Sequence, residues 1–208
     1  MSDSKQVFIF GYSGHSYVIL DSLLDAGYQI SGYFDCSKAS KNPFNLEYLG
    51  FEGKENVSDI VRQNFVFPTI GENSIRKKLI DLFERNHLKQ FVAVDPSANV
   101  SGSVKIGVSS YIGKNACVNA LSAIGKGAII NTSCVVEHEC EIGDYSHIGP
   151  GSILCGNVKI GSNAFIGANS VVKQNISIGP DILIGAGSTV VKSIDSGTVY
   201  FGNPAKSK

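Results

Sequence analysis

His138 and Glu139 stand side by side in the segment EHECEIGDYSH, and Gly156 follows the histidine by eighteen positions. An imidazole can take up a proton near neutral pH, and an adjacent carboxylate favours the cation that results. A glycine leaves its backbone N–H unshielded. A histidine with a free flank, a carboxylate beside it and an open amide nearby is an acid–base constellation. The chain has four histidines, and a second, His147, falls within ten residues of the first. Another candidate centre lies near the N-terminus, in Gly11-Tyr12-Ser13-Gly14-His15. This turn follows an apolar run and opens a helical stripe, a placement that suits anion capture by free helix N–H groups. Asp35 ends the next strand, where Rossmann-like sheets present a carboxylate to a ribose. The loop is not GxGxxG, so a dinucleotide cofactor is not expected. Each feature has a plainer reading: a surface histidine, and a common strand-to-helix turn.

What makes positions eighteen apart neighbours is a repeat. Every sixth residue from Val94 to Val190 is aliphatic, the residue after it is often glycine, and the residue two before it is small or β-branched. That period fits neither helix nor hairpin; it marks a parallel β-helix of hexapeptides. Three hexads close one coil, so roughly five coils stack. One column reads Ala120, His138, Gly156, Gln174, and the next Leu121, Glu139, Asn157, Asn175. His138, two places past inward Val136, is expected at an exposed turn with small residues above and below. His147 precedes inward Ile148 and is expected on an outward flat face. Cys134 and Cys140 fall on the small inward position and read as buried thiols.

Ahead of the repeat, residues 1–94 read as an α/β domain, and residues 95–208 as the solenoid with its tail; Asp95-Pro96 is the turn between them. Strands are expected at Val7–Phe10, Tyr28–Phe34, Phe65–Ile70 and Phe91–Val94. Helices are expected over His15–Ala26 (Val18, Ile19, Leu23 and Leu24 forming its stripe), Val57–Gln63, and from a cap at Asn73 or Ser74 through Ile75, Leu79, Ile80 and Phe83 to about His87. Alternating strands and helices imply a small parallel sheet. The α/β domain should cover one end of the solenoid, and the segment from Ser193 through Gly202-Asn203-Pro204-Ala205-Lys206 the other.

Composition narrows the functional classes. Lys plus Arg and Asp plus Glu balance at 18 each in 208 residues, which argues against a nucleic-acid or anionic-lipid partner. The short run Val7–Phe10 is too brief for a signal peptide or membrane span, so a cytoplasmic protein with no membrane insertion is expected. The five cysteines show no CxxC spacing. His138, Cys140, His147 and Cys155 resemble a ligand set, but Cys140 points inward and His138 outward, so no metal is expected.

With these motifs in view, the chain resembles the bacterial hexapeptide-repeat sugar acyltransferases, which acetylate nucleotide-linked amino sugars or sialic acids. The resemblance rests on FGYSGH with Asp35, on TIGENSIRKK (Thr69 to Lys78), on INTSCVVEHECEIGDYSHIGPGS (Ile130 to Ser152) and on the closing GNPAK. It implies a Rossmann-like N-terminal domain followed by a left-handed parallel β-helix, assembled as a homotrimer with acetyl-CoA between subunits. It further implies that His138 is the catalytic base, that Glu139 raises its basicity and that the Gly156 amide faces the thioester carbonyl. His147, Ala168 and Ala186 would contact acetyl-CoA, and Ser13, Gly14, His15, Asp35 and Gly71 would hold the sugar nucleotide. Cys36 and Ser74 depart from acidic residues common in the family, and both lie on the nucleotide-sugar side.

The expected activity is acetyl-CoA-dependent N-acetylation of a UDP-linked 4-amino-4,6-dideoxy sugar, as in bacterial surface glycan synthesis. Sialic acid O-acetylation and GDP-perosamine N-acetylation keep the fold and the donor but change the acceptor. A non-catalytic solenoid scaffold is the alternative from another class, and it predicts no thermal shift with CoA.

Overall fold

The computed structural model describes residues 6–208. The N-terminal sheet has the parallel order β2 (Gln29–Phe34), β1 (Gln6–Phe10), β3 (Phe65–Pro68), β4 (Lys89–Gln90). Because side chains alternate along a strand, Val7 and Ile9 of β1 pack with Ile19, Leu20 and Leu23 of α1 (Gly14–Asp25). Phe8 and Phe10 face the other way, onto Leu79, Ile80 and Phe83 of α3 (Asn73–Arg85). A short α2 (Val57–Val61) leads into β3. Burying each large apolar side chain contributes on the order of 2 kcal/mol, and these two layers form the core of the domain.

Three local expectations are corrected. The helix stripes are shifted: Leu24 and Ile75 are each 45% exposed, while Leu20 and Arg76 take the buried positions. The cap of α3 is Glu72, whose carboxylate accepts the Ile75 N–H at 2.7 Å, leaving Asn73 inside the helix. The strand expected at Phe91–Val94 shortens to Ala93–Val94 and does not close the α/β sheet. Lys89–Gln90 completes the α/β sheet, and Ala93–Val94 pairs with Tyr111–Ile112 in the solenoid.

The solenoid is three sheets of five, six and eight strands, parallel except where the tail strands Val199–Phe201 and Lys206–Ser207 pair antiparallel, and paired residues in successive coils differ by eighteen, as in His147 with Ile129 and Phe165. Aliphatic residues from Ile112 to Val190 fill its interior, with Cys134 and Cys140 fully buried among them. Serines at the small inward position bind the backbone. The Ser110, Ser122, Ser146 and Ser152 hydroxyls donate to the carbonyls of Gly125, Glu137, Gly161 and Gly167 at 2.7–2.9 Å. At each corner one residue adopts positive φ, regularly from Ser109 to Gly187, and asparagine fills many of these places because it tolerates the left-handed region. Leu121 (φ +64), Glu139 (φ +60) and Tyr145 (φ +60) are the unusual occupants.

The three outer faces differ in chemistry. One presents Lys105, Ala123, Glu141, Lys159 and Ser177. The next, here the open face, presents Cys117, Val135, Ile153 and Val171. The third, the covered face, presents Tyr111, Ile129, His147, Phe165 and Leu183, and the α/β domain lies across it. The junction is polar at one corner, where Lys114 meets Asp21 and Asp25 of α1 at 3.7 and 3.6 Å. Beside it, the buried carboxylate of Asp95 accepts from the Ser22 and Ser97 hydroxyls, and the Ser22 and Tyr111 hydroxyls are 2.8 Å apart. At the far end Val199–Phe201 pairs with Leu183–Ile184, and Ile194, Tyr200 and Ala205 pack on the core, so the tail covers the last coil. No helix of the described residues is long and apolar enough to cross a membrane.

Candidate active site

His138 and Glu139 lie on the corner between the open face and the charged face. The left-handed backbone at Glu139 turns its side chain back along the corner, and the His138 Nδ1–H donates to Glu139 Oε2 at 2.9 Å. That bond leaves Nε2 as the free, accepting nitrogen. Both side chains are more than half exposed. In the next coil Gly156 takes the position beneath the ring: a Cβ there would stand 2.6 Å from both Cε1 and Nε2 of His138. The space that the missing side chain leaves is thus occupied by the imidazole itself. The Gly156 N–H has no hydrogen-bond partner among the described residues.

The nucleotide side is built by the turn between β1 and α1. Ser13, Gly14 and Asp35 line a surface cavity of about 540 Å³ with Tyr12, Tyr17 and the Ser37–Lys41 loop, including Lys38 and Lys41. Asp35 is fixed by two backbone bonds, accepting the Tyr12 N–H at 2.8 Å and the Cys36 N–H at 2.7 Å. Tyr12 stacks on Tyr33 at 4.3 Å, and its hydroxyl is 2.7 Å from Asn42 Oδ1 and 3.2 Å from the Phe44 N–H it accepts.

His15 leaves this cavity and turns toward the solenoid. Its ring packs against Gly71 and lies 5.8 Å from that of His147. His147, expected on an outward flat face, is on such a face but is only 7% exposed, because the α/β domain covers it. Its Nδ1–H donates to the Gly71 carbonyl at 3.1 Å. Its Nε2 accepts from the Asn131 amide at 3.0 Å, and Asn131 is oriented by the Thr132 N–H on its Oδ1 at 2.8 Å. Burial first, and then the charge of Arg76, push His147 down to about 3 and His15 to about 4. Both rings are therefore neutral at pH 7. His15 Nε2 is buried without a partner among the described residues.

The site residues named from the sequence thus fall into three places. His138, Glu139 and Gly156 share the corner opposite the covered face. Ser13, Gly14, His15, Asp35, Gly71 and His147 gather around the α/β domain. Ala168 and Ala186, eighteen apart, sit on the corner between the covered and open faces. Three residues carry no signal of their role in the sequence: Arg76, Asn131 and Tyr12. Arg76 lies in the quoted TIGENSIRKK segment, where a basic residue on a helix reads as solvated. No three His, Cys, Asp or Glu side chains converge as metal ligands among the described residues.

Comparison with known proteins agrees with this architecture. The PglD N-terminal domain family matches residues 6–83, and the bacterial transferase hexapeptide family matches residues 122–156 and 157–192. A histidine-to-asparagine variant of perosamine N-acetyltransferase from Caulobacter crescentus, solved with CoA and GDP-perosamine, is 33% identical with a TM-score of 0.92; 98% of this chain and 96% of that one are covered. The acetyltransferase domain of PglB from Neisseria gonorrhoeae, solved with acetyl coenzyme A, is 28% identical with a TM-score of 0.90, covering 99% of this chain and 100% of that one. An uncharacterised protein of Acanthamoeba polyphaga mimivirus is 34% identical over 117 residues, 55% of this chain, which spans only 22% of that protein's length. The chain belongs to the bacterial hexapeptide-repeat sugar acyltransferases.

Proposed function

We propose that this protein transfers the acetyl group of acetyl-CoA to the amino group of a nucleoside-diphosphate-linked amino sugar. Residues 1–94 hold the sugar nucleotide and residues 95–208 carry the acyl-transfer corner. The observation that carries the reading is the His138–Glu139 bond above Gly156, which leaves one imidazole nitrogen free beside an unpaired amide. His138 Nε2 takes a proton from the acceptor amine as its nitrogen attacks the thioester carbonyl. The C–N bond forms, the C–S bond breaks, and the thiolate leaves to be protonated as free CoA. Glu139 holds the Nδ1–H and offsets the charge of the imidazolium. The Gly156 N–H donates to the carbonyl oxygen as charge develops there, a contribution of about 3 kcal/mol in comparable sites. No acetyl-enzyme is invoked: Cys134 and Cys140 are sealed in the core, and burial pushes the Cys134 thiol up to about 11.

The active unit in this reading is a homotrimer in the cytoplasm, where acetyl-CoA and nucleotide sugars meet. The support is geometric. The α/β domain lies on the covered face, and His138 lies on the corner opposite it, so a sugar nucleotide held by Ser13, Gly14, His15, Asp35 and Gly71 faces away from its own chain's base. A coenzyme contacting Ala168 and Ala186 on one corner and Gly156 on another must likewise lie between two copies. The open face, with Cys117, Val135, Ile153 and Val171, supplies an apolar surface for that contact. Acetyl-CoA reaches His147 only at its ring edge, since both ring nitrogens are engaged.

The first acceptor to test is a UDP-linked 4-amino-4,6-dideoxy sugar. GDP-perosamine is the second, because the 33%-identical relative was solved with it. Release of CoA thiol with either sugar, abolished in His138→Ala, is the expected result. Undiminished release by His138→Ala removes the base assignment, and no release with any nucleotide amino sugar removes the acceptor class.

A further inference from the structure

Arg76 is 1% exposed, yet no carboxylate touches its guanidinium. A buried charge without a counter-ion is costly unless its donors are all used. Here all are. Nε donates to the Gly127 carbonyl at 2.7 Å, and Nη2 to the Tyr145 carbonyl at 2.7 Å and to Asn73 Oδ1 at 2.9 Å. Nη1 donates to the carbonyls of Ile70 and Gly71 at 3.1 and 3.0 Å. Gly127 and Tyr145 occupy the same corner position in two successive coils, eighteen residues apart, so one planar group fastens α3 to the solenoid across a coil boundary.

The Gly71 carbonyl is the shared element. It accepts from Arg76 and also from His147 Nδ1–H, while the Gly71 backbone packs against His15. The peptide that Arg76 grips therefore sets both the tautomer of His147 and the seat of His15, whose Nε2 is buried and unpaired. A lysine could not reproduce this, because its ammonium has three donors and no planar fork.

We propose that Arg76 is a positioning residue for the sugar-nucleotide side of the site, acting through the Gly71 carbonyl on His147 and His15. This rests on the functional reading above only for the identity of the ligand. The charge of Arg76 also helps keep both imidazoles neutral, as their depressed values record. The groups facing the pair are Arg76 from α3, Asn131 and Tyr111 from the solenoid and Gly71 from the loop before α3, and none is a carboxylate.

The test begins on the unsubstituted protein, with imidazole nitrogen NMR at pH 7. The expected result is a neutral His147 protonated on Nδ1; an Nε2-protonated or cationic ring overturns the proposal whatever the substrate proves to be. The second arm is Arg76→Lys, in which the KM for the sugar nucleotide should rise about ten-fold or more, and by clearly more than that for acetyl-CoA, which meets only the ring edge of His147. In a His147→Phe background the same substitution should add less to KM than it does alone, because one of the two links it breaks, that to His147, is already gone. Equal rises in both KM values, or full additivity with His147→Phe, would show a fold-wide effect and overturn the assignment. Should Arg76→Lys not fold, the nitrogen shifts of the unsubstituted protein and of Asn131→Leu decide: the tautomer should stay Nδ1–H in Asn131→Leu, since Gly71 still accepts, and a switch to Nε2–H defeats the proposal. Absence of turnover in the unsubstituted protein would count against the acceptor reading and leave the tautomer result standing.

Discussion

The imidazole of His138 occupies the space that any side chain at Gly156 would need, its Nε2 lying 2.6 Å from where a Cβ would stand. Gly156→Ala should therefore push the ring aside and crowd the amide. Turnover is expected to fall by about 10²-fold. Because the ring is exposed and free to swing, the melting temperature should move by no more than a few degrees. Parallel measurement of kcat and thermal unfolding checks this; unaltered kcat would mean that neither group acts at this corner.

Glu139 holds a left-handed backbone that asparagine occupies at Asn157 and Asn175 in the same column. Glu139→Asn should thus raise stability by up to about 1 kcal/mol while lowering kcat, since the carboxylate that orients His138 is lost. Denaturant midpoints set against initial rates would reveal opposite signs. A variant that is both more stable and fully active would remove Glu139 from the mechanism.

The neutral histidine pair makes stability depend on pH. In the unfolded chain both rings take up protons near pH 6.5, whereas in the folded protein they do so only near pH 4 (His15) and pH 3 (His147). The unfolded state binds more protons in that window. Stability is therefore full above about pH 6.5 and falls as pH drops toward 3, by on the order of a few kcal/mol in total. Urea midpoints between pH 7.5 and 4 should show this slope, and it should be shallower in His147→Gln.

A site shared between copies can be rebuilt from two dead parents. His138→Ala and His15→Ala should each be inactive alone. After the two are unfolded and refolded together, about a quarter of wild-type activity should return, because half the loops and half the corners are intact and they meet at random. No recovery from a well-assembled mixture would place base and sugar nucleotide in one chain.

The open face gives an independent test. Ile153, 39% exposed there, should not tolerate a charge if it is covered in solution. Ile153→Lys is expected to sediment as a smaller species with lost activity, whereas Ser177→Lys on the charged face should leave assembly unchanged.

The solenoid could be read from the sequence almost residue by residue, because a repeat of six is a local pattern with one inward position per side. The corner chemistry followed from it: once Val136 and Leu154 are inward, His138, Glu139 and Gly156 have no freedom to be elsewhere. The α/β domain was legible in its order of elements and less so in its facing. Arg76 took a core position because main-chain carbonyls of the solenoid, distant in sequence, could satisfy it, and helical periodicity sees only the apolar neighbours. The same gap hid the burial of His147. Its outward direction was fixed by Ile148, but that a second domain lies across that face is a long-range fact that hexad phase does not carry.

The stacking of His138 on Gly156 depends on a separation of one full coil, eighteen residues. An insertion of one hexad between them would satisfy every packing requirement of the solenoid, yet it would rotate all that follows by one side of the prism. The base and the amide would then face different directions from an undamaged fold. Only insertions in whole coils preserve the phase, and even those would lengthen the gap along the axis. In this architecture the reading frame of function is three times longer than the reading frame of folding.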